Sequence, residues 1–313
     1  MNFFRHGIGA LSLKALYVFK GLATGNFDII HCHFGQNGMA LYFLGKLLHT
    51  PLVTSFHGRD LIMFGRFGHP MYKKLFRFGD AFVANSNYGK ECLVRMGCLA
   101  DKIVKIPEVP KDPGVDFIKK ESISNTTHIL TVARLVESKG VHVCLRAIQL
   151  LREADYDVNY TVVGDGPCRH KLEKLAEKLG IRHIVNFTGW MQQEEVYRRY
   201  MFSDIFVLSS IRGKDGWVEA QGMVIQEAQL HGLPVVASRI GGIPDGVDNG
   251  KAGLLFEPGN PFDLAKQLRI LLDDRVFAKN IAETGIQYCH TNYSRSIVMK
   301  QFADLYSSLV KNR

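Results

Sequence analysis

Short apolar runs alternate along the chain with longer stretches in which apolar positions recur every three to four residues. The runs Asp28-Ile-Ile-His-Cys-His, Pro51-Leu-Val-Thr-Ser-Phe and Asp80-Ala-Phe-Val-Ala-Asn are short and β-rich, and read as buried strands. Helical patterns lie between them near 37–49, 69–78 and 87–97, and the segment 9–23 also reads as a helix. Residues 107–126 then carry Pro107, Pro110, Pro113 and Gly114 ahead of Lys, Glu, Ser, Asn and Thr, which is linker composition. The alternation resumes with strands at His128-Ile-Leu-Thr-Val-Ala, Asn159-Tyr-Thr-Val-Val, His183-Ile-Val-Asn-Phe, Asp204-Ile-Phe-Val-Leu and Leu233-Pro-Val-Val-Ala, and a weaker one at Ala252-Gly-Leu-Leu-Phe. Helical patterns fill the gaps, the last over 294–311. Strand and helix in strict alternation predict parallel sheets with helices on both faces.

The chain is therefore expected to be α/β with two lobes, one over 1–117 and one over 118–292, and a closing helix over 293–313 that packs back on the first lobe. Two parallel sheets facing each other enclose a cleft, and ligands of such sheets bind beyond the carboxyl ends of the strands. The first lobe lacks an opening strand followed by a glycine-rich turn, since Gly7-Ile-Gly9 follows no strand, and is expected to be shortened.

Composition narrows the class. With 313 residues, 46% hydrophobic and 22% charged, the chain suits a globular protein of two domains. No stretch approaches the ~20 apolar residues of a membrane-spanning helix. Met1–Ala10 carries Arg5 and His6 where a secretory signal would be apolar, so a cytoplasmic protein is expected. The six cysteines form no C-x-x-C pair, which argues for reduced, buried thiols and against a zinc or redox motif. A net charge of +9 attracts polyanions. No zinc-finger spacing or RNP-type signature accompanies it, so lipid and nucleotide phosphates are expected as partners ahead of nucleic acid.

The densest chemistry lies in Trp217-Val-Glu-Ala-Gln-Gly-Met-Val-Ile-Gln-Glu-Ala, where Glu219 and Glu227 stand eight positions apart. Gly222 and Met223 fall near the predicted start of a helix, whose free N–H groups and positive dipole end suit a phosphate. Glu219 before the helix and Glu227 along it would grip two hydroxyl-rich ends of one ligand. On spacing alone, two such glutamates are more often a solvated pair.

This segment resembles the E-x7-E motif of family 4 glycosyltransferases, and Gly232-Leu-Pro-Val-Val-Ala-Ser with Gly241-Gly-Ile-Pro-Asp is similar to its continuation. Val132-Ala-Arg-Leu-Val-Glu-Ser-Lys-Gly, Val163-Gly-Asp-Gly-Pro and Phe187-Thr-Gly resemble three further segments of that family in the same order, so that the likeness spans almost all of 127–260. The resemblance implies the GT-B fold of two Rossmann-like lobes and a retaining transfer from a UDP- or GDP-sugar. It assigns Arg134, Lys139, Gly222, Met223 and Val224 to the donor phosphates, Glu227 to the ribose, Glu219 to the donor sugar, and Gly189 and Trp190 to the vicinity of the base. Thr54-Ser-Phe-His-Gly-Arg-Asp is similar to the family's His-Gly turn. The likeness makes His57 catalytic with Glu219, and gives Arg59 and Asp60 to the acceptor side. Taken alone, Arg134 and Lys139 would be surface charges and His57 a structural histidine. His31-Cys-His-Phe-Gly and Ser55-Phe-His-Gly-Arg-Asp most resemble enzymes of bacterial exopolysaccharide assembly of the colanic-acid type, whose acceptors are saccharides or lipid-linked saccharides.

Asp155-Tyr-Asp157 is a literal D-x-D, the metal pattern of another glycosyltransferase fold, but it precedes a strand in a turn. No metal and no cofactor are expected, and transfer of a hexose is predicted to be metal-independent. The shortened first lobe leaves a second reading, a catalytically silent donor-binding or partner subunit. Finally, Met71-Tyr-Lys-Lys-Leu-Phe-Arg-Phe, following Arg66 and Phe67, places Tyr72, Leu75 and Phe76 on one helical face beside Lys73, Lys74 and Arg77. Such a helix is expected to rest peripherally on the anionic inner face of a membrane; a core-packed helix with a solvated basic edge is the alternative.

Overall fold

The computed structural model describes residues 21, 27–58, 60–61, 72–111 and 126–311. The predicted helix over 9–23, save Gly21, and Gly7, Gly9, Arg59, Arg66, Phe67 and Met71 lie outside the described residues, as does most of the predicted linker. The chain divides into two compact units, Met1–Pro107 with Met299–Arg313, and Glu108–Val298.

In the first unit, strands β1 (Ile30–His33), β2 (Leu52–Phe56), β3 (Ala81–Ala84) and β4 (Ile103–Lys105) form a parallel sheet in sequential order. Helix α1 (Gly35–Leu47) joins β1 to β2, and α2 (Lys73–Phe78) and α3 (Asn87–Arg95) precede β3 and β4. Helix α1 approaches β2 closely because its inner face is glycine: a Cβ on Gly38 would stand 2.4 Å from Thr54 Oγ1. Helix α3 is capped by Ser86, whose hydroxyl accepts from the Gly89 N–H at 3.1 Å.

Helix α2 takes the alternative reading, a core-packed helix with a solvated basic edge. Tyr72, Leu75 and Phe76 are all buried. Tyr72 and Phe76 pack with Phe56 and Phe82 in a ring cluster, with Phe76 edge-on to Phe82 at 5.2 Å. Those rings hold the unit's core together and are not presented to a bilayer. Only Lys73, Lys74 and Arg77 are exposed, as a solvated edge.

In the second unit, β5 (Thr127–Val132), β6 (Val158–Val163), β7 (Val185–Gly189), β8 (Ile205–Leu208), β9 (Val235–Ser238) and β10 (Leu254–Phe256) form a six-stranded parallel sheet in the order β10-β9-β8-β5-β6-β7. Its strands are buried on both sides. Ile205 and Val207 enter one core cluster and Phe206 and Leu208 the other, the period of two that a strand imposes. Helices α4 (Val141–Glu153), α5 (Arg169–Lys178) and α9 (Pro261–Asp273) cover the first face, and α6 (Gln193–Met201), α7 (Val224–Leu230) and α8 (Ile243–Gly246) the second. Helix α10 (Arg275–Tyr293) packs on α7, and α11 (Arg295–Lys311) begins in this unit and ends in the other. All six cysteines are free thiols, five of them buried. No described helix is long and apolar enough to cross a membrane.

Candidate functional site

Strand order reverses between β5 and β8, which are neighbours in the second sheet but lie on opposite branches of its winding. The connections leaving two such strands part in opposite directions and open a crevice beyond their carboxyl ends. The connection after β5 carries Arg134 and Lys139, and the connection after β8 carries Ser210, Trp217 and Glu219.

The two connections are stitched together. Gly140 adopts φ +64°, and a Cβ there would lie 1.9 Å from the Ser209 carbonyl oxygen, so only glycine permits the approach. The Ser209 hydroxyl donates within reach of the Lys139 and Gly140 carbonyls at 3.2 and 2.9 Å, and Ile211 N–H donates to Ser138 O at 2.8 Å. On this platform the Lys139 ammonium is ion-paired with Glu219 Oε2, with side-chain exposures of only 14% and 12%. The Ser210 hydroxyl donates to the same oxygen at 3.3 Å, and the ammonium lies over the Trp217 ring at 4.8 Å. The hydroxyl and the ring face take the place of water around this half-buried pair. The Glu219 carbonyl accepts from Gly242 N–H at 2.9 Å, and Gly241, at φ +57°, leaves that approach open. Arg134, five residues before Lys139, is exposed.

Gly222, at φ +80°, leads into α7, with Met223 at its cap and Val224 at its first position. Met223 is exposed, and Glu227 lies one turn further on. Glu227 Oε2 accepts from the Tyr200 hydroxyl at 3.1 Å. Burial raises the Glu227 carboxyl above its ordinary range, against the Tyr200 hydrogen bond and the charge of Lys111, which lower it. Tyr200 itself is fully buried and stacks on His231 at 4.9 Å, and His231 Nδ1 stands 2.6 Å from the Glu227 carbonyl. Tyr200, Ser210, Trp217 and His231 were not singled out by spacing. Tyr200 and Trp217 reach the glutamate and lysine from other elements.

Gly189 closes β7 at φ +78° and accepts from Gly164 N–H at 2.8 Å. Beside it Arg169 bridges Asp165 and Glu173, each at 3.0 Å, and Trp190 is 69% exposed. Asp155 and Asp157 lie before β6, at the amino edge of the sheet, opposite the ends from which the site residues come. Asp157 accepts from Thr126 and pairs with Arg152. Among the described residues, no group of three or more His, Cys, Asp or Glu could hold a metal ion.

The first unit carries a different chemistry. His57 follows β2 and its Nε2 stands 2.9 Å from His33 Nδ1. His33 stacks on His31 at 4.6 Å, and His31 is held by Ser55 Oγ at 2.8 Å and Tyr306 Oη of α11 at 2.6 Å. Burial, and then the neighbouring His33 and His57, lower His31 to about 4. Phe34, beside His57 at 4.8 Å, has φ +70°, a conformation held against its own steric preference. Asp60, which the resemblance gives to the acceptor side, lies buried in the first unit. It is 3% exposed, and its two oxygens accept from Gly35 and His57 N–H, each at 2.9 Å. Its carboxyl, raised by burial, holds the turn that carries His57 through these two bonds.

The family model for glycosyl transferases group 1 matches residues 115–288, and that for glycosyltransferase family 4 matches residues 2–108. The chain is similar to WcaL of Escherichia coli, assigned by name to colanic acid biosynthesis, at 28% identity over 99% of this chain and 78% of that protein. It is 29% identical to the amylovoran biosynthesis glycosyltransferase AmsK of Erwinia amylovora over 90% of this chain and 70% of that one. Among solved structures, Anabaena HepE in complex with UDP superimposes with a TM-score of 0.76 at 22% identity, covering 90% of this chain and 79% of that one. Sucrose-phosphate synthase of Thermosynechococcus elongatus gives 0.79 at 19% identity, covering 100% and 80%. The fold is GT-B, with a parallel-sheet α/β unit for each lobe.

Proposed function

Because the chain belongs to the glycosyl transferases group 1 family, we propose that it moves a hexose from a UDP- or GDP-sugar to a saccharide or lipid-linked saccharide acceptor, with retained configuration, in surface polysaccharide assembly. The observation that carries this reading is the convergence of the connections bearing Arg134, Lys139 and Glu219, with helix α7 bearing Glu227, on one reversal of strand order. The names of WcaL and AmsK and the UDP held by HepE support the substrate class.

In this reading Arg134, Lys139 and the backbone of Gly222, Met223 and Val224 meet the diphosphate, Glu227 accepts from the ribose diol, and Gly189 and Trp190 border the base. The Lys139–Glu219 pair is exchanged on donor binding: the diphosphate takes the ammonium, and Glu219 is released to accept from sugar hydroxyls. The bond from the anomeric carbon to phosphate then breaks with its electrons going to the phosphate oxygen. The acceptor hydroxyl bonds to that carbon on the same face, and its proton passes to the leaving phosphate. The backbone carbonyl of His57 is assigned to the positive charge that develops on the sugar. No step requires a metal.

The test is Glu219→Gln beside the wild type, with UDP- and GDP-sugars and labelled-sugar transfer in the presence of a chelator. Wild-type transfer is expected to survive chelation. The variant should bind nucleoside diphosphate at least as tightly as wild type, since Lys139 is freed, yet lose transfer. Turnover lost in chelator and restored by magnesium, or weaker diphosphate binding in the variant, would contradict the assignment.

A further inference from the structure

The second unit carries a groove of about 380 Å³ that uses none of the residues assigned above. It lies between α4 and α5. Its floor is apolar, formed by Val136 and Val141 with Leu172 and Leu175. Its rim is cationic: Arg146 comes from α4, and Lys171, Lys174 and Lys178 come from α5. Positions 171, 174 and 178 repeat at helical spacing, so the three ammonium groups line one side of the groove. All four cations are exposed, and none of them is ion-paired among the described residues. The acidic lining residue, Glu137, is engaged by Lys214 at 3.2 Å. His142 in the wall is lowered by burial first and then by Lys171 and Arg146, with the nearby Glu137 acting in the opposite sense.

An apolar floor beneath a rim of four cations and one carboxylate matches a ligand with an apolar body and an anionic end. A bare anion would leave the floor wet, and a neutral hydrocarbon would leave the four cations unmatched. The floor is concave, and none of its residues is among the large exposed hydrophobics, so the ligand's body must enter the protein rather than the protein enter a bilayer. The volume falls within the ~300–1,000 Å³ of small-molecule sites. We propose that the groove between α4 and α5 binds a single-chain anionic amphiphile, its chain on Val136, Val141, Leu172 and Leu175 and its head group on Arg146, Lys171 and Lys174.

The proposal is tested on the full chain by calorimetric titration with dodecyl phosphate below its micelle concentration. The Lys171→Glu, Lys174→Glu variant is titrated in parallel, its fold checked by thermal unfolding. Saturable binding is expected, weakened at least tenfold in the variant, undisturbed by UDP and not reproduced by inorganic phosphate. Displacement by UDP would assign the amphiphile to the nucleotide crevice and overturn the proposal, as would equal binding to wild type and variant. Equal binding of inorganic phosphate would reduce the groove to an anion patch. Failure of dodecyl phosphate, with lysine-dependent binding of an acidic amphipathic peptide or of anionic vesicles, would replace the amphiphile by a protein or a bilayer. The outcome is independent of glycosyl transfer, so each reading can fail without the other.

Discussion

The two units share an architecture and differ in how their strands are wound. In the unit of β5–β10 the strand order reverses between β5 and β8, and the charged side chains Lys139 and Glu219 meet at that reversal. In the unit of β1–β4 the described strands follow one another in chain order. Their carboxyl ends carry a row of three histidines and a buried aspartate consumed by backbone N–H groups. Equivalent positions at strand ends therefore do different work. A reversal opens room for a ligand between diverging connections, and charge collects there. At the strand ends of the first unit, the described polar groups bond to one another. Assigning donor binding to the second unit rests on this difference.

The comparison is broken most severely at Gly140. Gly140→Ala puts a Cβ against the Ser209 carbonyl in a left-handed conformation, and should cost on the order of 3 kcal/mol. Both tryptophans, Trp190 and Trp217, lie in the second unit, so their fluorescence during urea unfolding reads that unit alone. Gly180→Ala is the control. Gly180 also has positive φ, at +68°, but a Cβ there meets nothing within 4 Å, and about 1 kcal/mol is expected. Equal shifts for the two variants would show that the stitching of the connections after β5 and β8 contributes nothing.

Next in size is Glu227. Glu227→Ala should weaken nucleoside binding by about 2 kcal/mol through lost charge-assisted hydrogen bonds to ribose. Because burial raises this carboxyl in the folded chain, the ionised form that accepts from a diol is lost already as pH falls through a midpoint above the usual carboxylate value. Tyr200→Phe removes a hydrogen bond that favours the ionised form and should move that midpoint higher. Nucleoside affinity measured against pH in the three proteins checks this. A midpoint unmoved by Tyr200→Phe would detach the tyrosine from the glutamate's ionisation.

The smallest effect is expected at His31 in the first unit, whose ring is only partly shielded from solvent. Its folded value, about 4, lies below the ordinary 6.5, so the unfolded chain takes up the proton first. The contribution of neutral His31 to the stability of the first unit is full above 6.5, is lost as pH falls from 6.5 toward 4, and changes no further below that. Hydrogen exchange of β1 and β2 amides across this window should show the loss, and His31→Gln should flatten it. An identical pH profile in the variant would remove His31 as the source.

Much of this was legible in the sequence. Nine of the ten described strands lie where the apolar runs predicted them, and the helix before β9 begins beside Gly222 as its spacing implied. Strand β4 was missed because Ile103–Lys105 is three residues long and runs straight into the proline-rich stretch. What spacing cannot convey is who sits above a side chain. The pattern of α2 showed an apolar face on Tyr72, Leu75 and Phe76, but only the positions of Phe56 and Phe82 decide that this face points inward. Asp60 read as a free carboxylate because backbone donors leave no mark in a sequence. Tyr200 reaches Glu227 from α6, 27 residues away, so no local motif contains both. The roles of Arg134 and Lys139 came from the resemblance; their types and spacing alone are those of ordinary surface charges.

Donor binding by the second unit is tested most directly by calorimetry of UDP and GDP, with uridine and guanosine as controls, against wild type and the Arg134→Ala, Lys139→Ala double variant. Loss of two cationic contacts should weaken the preferred diphosphate by about 3 kcal/mol and its nucleoside by less than about 1 kcal/mol. Equal losses for diphosphate and nucleoside, with the fold intact by tryptophan fluorescence, would contradict the assignment of the phosphates to the connection after β5.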